Sequence, residues 1–206
     1  MSRRPGSPTV LAGVLLVVAV LAGPVPGVTY DSSEVWRKGT WVWSLEGAYG
    51  NQVNLENFRT FTDLEFVSVG ARWSLLPFNI IAPDSVLRSA FEIGLEPLYM
   101  HYLNPDDAFY AGLAAVARYH FLRLGRFVPY LEGAAAVGGT NLDINEIDSD
   151  ASILLIAGIG ASVFITDHHA LYAGYRFTHN SNGNTDSPNR GWEAHTGVVG
   201  VSFFFK

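Results

Sequence analysis

Residues 40–49 read TWVWSLEGAY, and bulky side chains stand at the odd-numbered positions 41, 43, 45 and 49 of this segment. Trp41, Trp43 and Leu45 fall on one face of an extended chain, whereas Glu46 falls on the opposite face. A period of two is the pattern of a β-strand, because successive side chains of a strand point to opposite sides. The segment therefore predicts a strand with one apolar face and one face of small, polar or charged residues.

The same alternation recurs along the rest of the chain in segments of roughly ten residues, the length of a tilted strand that crosses a membrane. The mean hydropathy is +0.18, yet no run of about eighteen apolar residues follows residue 25, so no mature transmembrane helix is expected. We predict an all-β fold, an eight-stranded antiparallel transmembrane β-barrel. Its predicted strands are 40–49, 63–73, 87–102, 109–120, 127–137, 152–166, 170–179 and 193–205.

Several charged residues lie in the middle of these segments, on the polar face. A charge at mid-strand is costly on the lipid side, so we expect these side chains inside the barrel. Eight strands enclose a space just wide enough for side chains to fill, which predicts a packed polar core and no pore. The expected interior pairs join Arg72, Arg88, Arg118 and Arg176 to Glu46, Glu92, Glu96 and Glu132. His101 and His120 are expected at the rims.

The N-terminal residues have the pattern of a secretory signal. Arg3 and Arg4 supply positive charge, and the apolar stretch VLAGVLLVVAVLAG follows at residues 10–23. We expect residues 1–27 to be a cleaved signal peptide, residues 28–39 a periplasmic N-terminal segment and residues 40–206 the barrel. An uncleaved anchor helix is the alternative, but the apolar run is short and no stop-transfer pattern follows it.

The composition excludes several kinds of site. Cysteine is absent, which rules out thiolate metal sites and cysteine nucleophiles, and with a net charge of −6 no basic patch indicates a nucleic-acid partner.

The predicted connections differ in length between the two ends of the barrel. Most of the loops at one end are long: 50–62, 103–108, 138–151 and 180–192. The turns 122–126 and 167–169 at the other end are short. Connection 74–86 is an exception, with an interfacial segment as one reading. Four acidic residues in loop 138–151 lack the spacing of a calcium-binding EF-hand, so we expect them to be solvated: Asp143, Glu146, Asp148 and Asp150.

The last predicted hairpin contains residues that fit nucleophilic catalysis. His179 and Ser181 continue the apolar, outward row of strand 170–179, and the outward row of the last strand reaches back to Glu193. Pairing His179 with Glu193 across the two strands also places Phe177 opposite His195, and Tyr175 opposite Gly197. In this arrangement Ser181 is the candidate nucleophile, His179 its general base, and Glu193 the group that orients the imidazole. The Asn- and Gly-rich loop between the strands offers donors for an oxyanion.

This hairpin resembles that of the lipid A 3-O-deacylase family of the PagL type, eight-stranded outer-membrane barrels of Gram-negative bacteria. The resemblance rests on His-x-Ser-Asn, an Asn-x-Gly about six residues later, and an acidic residue before the final strand. Matching positions are His179, Ser181, Asn182, Asn189, Gly191 and Glu193; the segment FEIGLEPLY at residues 91–99 resembles the family's third strand. It implies a Ser181–His179–Glu193 triad, an oxyanion hole with Asn189 and backbone donors near Gly183 and Asn184, lipid A or a related outer-leaflet lipid as substrate, and no metal or organic cofactor.

Other interpretations of the same residues stay open at this point. Ser181, Asn182 and Asn189 taken singly are turn formers, and Glu193 alone is acceptable as a rim charge. The whole chain could be a structural or adhesive barrel without catalysis, or, more weakly, a soluble lipocalin-like barrel, which would need the opposite parity with apolar residues inside. The sequence also leaves open whether the protein forms a homodimer.

Overall fold

The computed structural model describes residues 34–53, 55 and 62–206, which form a closed antiparallel barrel. Eight long strands make the wall, and a small hairpin, β6–β7, lies within one connection. The strands are β1 Trp41–Val53, β2 Glu65–Leu75, β3 Ser89–Asn104, β4 Ala108–Phe121, β5 Phe127–Thr140, β6 Asp143–Ile144, β7 Ile147–Asp148, β8 Ala151–Phe164, β9 His169–Ser181 and β10 Trp192–Phe205. Within the described residues, no helix is long and apolar enough to cross a membrane.

The order around the barrel is β1-β10-β9-β8-β5-β4-β3-β2, with β1 closing on β10. The predicted eight-stranded barrel is confirmed, including segment 152–166, which forms β8. The structure differs from the prediction in two respects. Strand β1 ends at Val53 rather than at residue 49, β5 at Thr140 rather than at 137, and β9 at Ser181 rather than at 179. The β6–β7 hairpin was not predicted. The predicted signal peptide, residues 1–27, lies outside the described residues.

The outer wall of the barrel is apolar, as the period-two pattern predicts. Leu45, Leu95 and Leu155 are each about half exposed although they lie at mid-strand, at 54%, 51% and 51%. At the end of the barrel where β1 begins, the rings of Trp41 and Trp73 stack on the same outer surface with their centroids 4.9 Å apart. Large apolar side chains on the outside are stable where lipid replaces water, and indole rings suit the membrane interface.

The middle of the interior is a charged layer. Glu132 accepts hydrogen bonds from Arg118 Nε and from Arg176 Nε, each at 2.5 Å, and its side chain is 1% exposed. Arg72 pairs with Glu96 at 3.0 Å. The Arg118 guanidinium lies between two tyrosine rings, 4.4 and 4.5 Å from their centroids. Because each charge has a partner, burial of these groups is tolerated, and the layer fills the barrel.

Two predictions about this layer are wrong. Arg88 precedes β3, which begins at Ser89, and it joins none of the cluster's ion pairs within the described residues, because it lies in the connection at the end of the barrel rather than at mid-strand. His120 is buried rather than at a rim, and its Nε2 lies 2.8 Å from Glu92 Oε2. The parity of β4 turns this ring inward, where it extends the charged layer.

Apolar side chains close both ends of this layer. At the end where β1 begins and β10 ends, which we call the terminal end, Trp36 packs against Phe164 and Phe204 and is 1% exposed. At the opposite end, the loop end, Trp192 packs against Phe66 and Tyr102. The interior is therefore packed in three layers, apolar, charged and apolar, as expected for a barrel of eight strands.

Candidate active site

The hairpin of β9 and β10 carries the predicted catalytic residues at the loop end of the barrel. The predicted register is confirmed, with His179 opposite Glu193, Phe177 opposite His195 and Tyr175 opposite Gly197. Even-numbered residues of β9 are buried inside the barrel, and from Tyr175 onward the odd-numbered ones are half-buried on the outer wall. His179 and Ser181 therefore project from the wall toward the outside, as their parity predicts.

His179 and Glu193 form a hydrogen-bonded pair on this outer wall. His179 Nδ1 donates to Glu193 Oε1 at 3.0 Å, and their side chains are 36% and 25% exposed. The carboxylate can only accept, so Nδ1 carries the proton and the lone pair on Nε2 remains available as a base. Leu155 on the neighbouring strand lies beside His179 in the register, so the pair adjoins an apolar, lipid-type surface.

Ser181 is the last residue of β9 and lies two positions beyond His179 on the same face. Its register partner is Ile153 of β8. Within the part of the chain that the structure describes, no hydrogen bond joins the Ser181 hydroxyl to His179. The strand thus brings the hydroxyl and the imidazole to one face.

A network of asparagine side chains shapes the loop after Ser181. The Asn182 N–H donates to Asn189 Oδ1 at 3.0 Å, and Asn182 Oδ1 accepts from the Asn184 N–H at 2.9 Å. The Asn182 side-chain amide also donates to the Asp186 carbonyl at 3.0 Å. Asn182 is 3% exposed, and these three hydrogen bonds hold the loop in this conformation.

Gly183 and Asn184 both have positive φ, +66° and +64°, which glycine adopts freely and asparagine tolerates. The Asn184 N–H is occupied by Asn182, so it does not fit the predicted role of an oxyanion donor. The Gly183 N–H has no acceptor within the described residues. With Asn189 Oδ1 already engaged, the side-chain NH₂ of Asn189 remains a donor.

Gly191 has a structural reason to be glycine. Its φ is +69°, and a Cβ built on it would lie 2.3 Å from the carbonyl oxygen of Asn180 and 3.4 Å from His179 Cε1. The N–H of Gly191 donates to the main-chain carbonyl of Glu146 at 3.1 Å, so this group is not free for an oxyanion. Gly191 therefore allows the loop to pass close against β9 beside the imidazole.

Glu146 is a residue near the site that sequence reasoning placed wrongly. It was expected to be solvated, but it is 2% exposed and lies against the end of β1 and the loop before β10. The apolar alternation of Leu142 and Ile144 is the signal from which the β6–β7 hairpin could have been predicted. Within the described residues, no three metal-ligating side chains are grouped as a metal site.

Comparisons with known proteins identify the family and the fold of this chain. The sequence matches the family model described as lipid A 3-O-deacylase (PagL) over residues 27–202. No curated protein matches it. The crystal structure of the outer membrane enzyme PagL is similar with a TM-score of 0.60 at 15% identity, covering 76% of this chain and 97% of that one. The crystal structure of Neisserial surface protein A (NspA) is similar with a TM-score of 0.57 at 18% identity, covering 82% and 100%. At these identities the two structures establish a shared barrel fold.

Proposed function

This chain belongs to the lipid A 3-O-deacylase (PagL) family, and from that premise we propose that it is an outer-membrane serine esterase that hydrolyses an acyl ester of lipid A, or of a related lipid of the outer leaflet. The 3-O position is the bond that the family name implies. The barrel fold by itself does not favour this function over a structural or adhesive one, because NspA, named as a surface protein, has a similar barrel.

The observation that carries the proposal is the hydrogen bond between His179 and Glu193 on the outside of the barrel, with Ser181 on the same face. A buried or lumen-facing triad would have to receive its substrate through a packed interior. A site on the outer wall instead meets molecules dissolved in the surrounding leaflet. An acyl ester of a membrane lipid lies at that depth, near the boundary between head group and acyl chain.

In the proposed reaction, His179 Nε2 takes the hydroxyl proton of Ser181 while Oγ attacks the ester carbonyl carbon. Glu193 holds the Nδ1–H and stabilises the imidazolium that forms. The tetrahedral intermediate then expels the sugar alkoxide, which receives the proton from the imidazolium, and an acyl-enzyme remains. A water molecule, deprotonated by His179, hydrolyses this ester and releases the fatty acid. Hydrogen bonds between nucleophile and base often tighten only with substrate bound.

The negative charge on the carbonyl oxygen requires donors beside Ser181. The side-chain NH₂ of Asn189 and the N–H of Gly183 are the two we assign to this role, since each lacks an acceptor of its own within the described residues. Removal of one such donor in a hydrolase typically costs about 10²–10³-fold in rate. Asn182 and Gly191 act on the loop rather than on the substrate, because their N–H groups are already bound.

The rest of the proposal concerns location. We assign residues 1–27 to a cleaved signal peptide and place the loop end of the barrel outside the cell, so that the site reaches the outer leaflet. The terminal end then faces the periplasm, and Trp41 and Trp73 lie at the inner interface of the membrane. This orientation also places the short turns at the inner side, the usual arrangement in such barrels.

Replacement of Ser181 by alanine tests the function directly. Lipid A is isolated from cells that express the wild-type chain, Ser181→Ala or Ser187→Ala, and is analysed by mass spectrometry. Ser187 is exposed in the same loop and is the matched control. We expect the wild type and the control to remove one acyl group, and the Ser181 variant to lose at least about 10³-fold in rate. Unchanged lipid A with the wild-type chain, or deacylation by the Ser181 variant at the normal rate, would show that the proposed function is wrong.

A further inference from the structure

The β6–β7 hairpin crosses the mouth of the barrel at the loop end. It leaves the wall between β5 and β8, which lie on the far side of the barrel from β1. Below the hairpin, Ile144 and Ile147 are buried in the same apolar cluster as Trp192. Burial of these side chains fixes the hairpin against the apolar cluster. Its two-residue turn therefore lies across the barrel, beside the end of β1.

Glu146, in this turn, joins three separate segments of the loop end. Its carboxylate accepts hydrogen bonds from Gln52 Nε2 at 3.2 Å, from the Thr62 N–H at 2.8 Å, and from the Thr62 hydroxyl. Its main-chain carbonyl accepts from the N–H groups of Arg190 and Gly191, at 2.8 and 3.1 Å. The side chain thus binds the end of β1 and the segment before β2, and the main chain binds the segment that leads into Glu193.

Adjacent contacts extend this attachment along the same segment. Ile147 forms a β-bridge with Asn189, and the Asp148 N–H donates to the Pro188 carbonyl at 3.4 Å. Residues 188–191 are therefore held by the hairpin on one side. On the other side Asn189 holds the Asn182 N–H. The hairpin consequently supports both the loop after Ser181 and the start of β10, which carries Glu193.

A buried carboxylate that accepts three hydrogen bonds is a strong anchor, because bonds to a charged acceptor are shorter and stronger than neutral ones. Its carboxylate's partners among the described residues, Gln52 and Thr62, are uncharged donors. An exposed acid of the same hairpin, such as Asp143, has no such contacts within the described residues.

We propose that Glu146 is a positioning residue of the esterase: it anchors the β6–β7 hairpin to Gln52 and Thr62, and the hairpin in turn fixes residues 189–191 against His179. The inference rests on the proposed function for its effect on rate, but the mechanical link can be measured without it. Loss of the carboxylate frees the turn, and the loop that carries Asn189 and Gly191 loses its fixed distance from the imidazole. A shift of about 1 Å in a catalytic group is sufficient to reduce a rate by about 10²-fold.

The test compares Glu146→Ala, Glu146→Gln and Asp143→Ala, each as the complete barrel in detergent with lipid A as substrate. We expect the Glu146→Ala variant to lose about 10- to 100-fold in kcat, with KM within about twofold of wild type. The reason is that the loop moves, whereas the apolar outer wall of the barrel, which contacts the lipid, does not. Glu146→Gln keeps one carbonyl acceptor and should recover part of the rate. Asp143→Ala, the matched control, should behave as wild type.

Hydrogen–deuterium exchange of the peptide that contains residues 188–192 supplies a readout independent of catalysis. The amides of Arg190 and Gly191 should exchange faster in Glu146→Ala than in wild type or Asp143→Ala. If the alanine variant does not form a barrel, Thr62→Val, which removes one hydroxyl donor, replaces it and should give the same changes at smaller size. Wild-type rate and exchange in the Glu146 variants, or equal losses in Asp143→Ala, would overturn the proposal. Faster exchange in a protein that does not deacylate lipid A would support the mechanical link and contradict the proposed esterase function.

Discussion

Replacement of Gly191 by alanine should strongly reduce the proposed deacylase activity while the barrel still forms. The new methyl group would lie 2.3 Å from the Asn180 carbonyl oxygen, where an ordinary contact requires about 1 Å more. Asn180 cannot withdraw alone, because β9 is paired with β8 on its other side. The loop must therefore move away from β9 by about 1 Å, which carries Asn189 and Glu193 with it and predicts a loss of about 10²-fold in rate.

Backbone strain must be separated from this displacement, and Gly125 allows that separation. Its φ is +64°, close to the +69° of Gly191, but a Cβ there would meet nothing within 4 Å. Alanine at either position costs about 1 kcal/mol for a left-handed backbone. Initial rates of lipid A deacylation, measured by mass spectrometry per folded barrel, should fall for Gly191→Ala and stay at the wild-type level for Gly125→Ala. Similar rates in both variants would refute the reasoning from the close contact.

Two further predictions concern Glu193 and the charged interior. Glu193→Gln keeps the shape of the side chain but removes the charge that stabilises the imidazolium and lets the wrong imidazole tautomer form, so deacylation should fall by about 10³–10⁴-fold. Glu65→Gln at the same end of the barrel is the control, and an equal fall in both variants would contradict the assignment. Glu132→Gln leaves two buried guanidinium groups without their shared carboxylate and should lower the free energy of unfolding by about 3–5 kcal/mol. Thermal unfolding measures this loss, and the rate per folded barrel should not change, because Glu132 lies inside the wall and the site lies outside it.

Much of the architecture is readable from local patterns. In a strand the side chains alternate between two faces, so the apolar rows that contain Leu45 and Leu95 identify the lipid side directly. The same rule turns Glu132 inward. The facing of the last hairpin also follows from sequence, because a slip of one residue would put one apolar row on the wrong face, and the pairing of His179 with Glu193 is a register that keeps both rows outside.

Other features depend on contacts between residues that are distant in sequence. Gln52 and Glu146 are separated by 94 positions, and although Glu146 continues the alternation of Leu142 and Ile144, that alternation does not indicate which donors a buried carboxylate would meet. A carboxylate is buried only where several donors converge, and that convergence exists only after β1 has closed on β10 and the hairpin has crossed the mouth. The burial of Trp36 at the terminal end and the pairing of His120 with Glu92 depend on closure in the same way.

The sequence by itself determined which residues face lipid, most of the charges that face inward, and which three side chains share the outer face of the last hairpin. These are consequences of a period of two, which each strand carries independently of its neighbours. Only the tertiary structure decided how the site is supported: the close passage of Gly191 beside His179, the occupied N–H groups of the loop, and the hairpin that holds it. Those distances depend on the closed barrel, because closure alone fixes where segments from opposite sides of the wall meet.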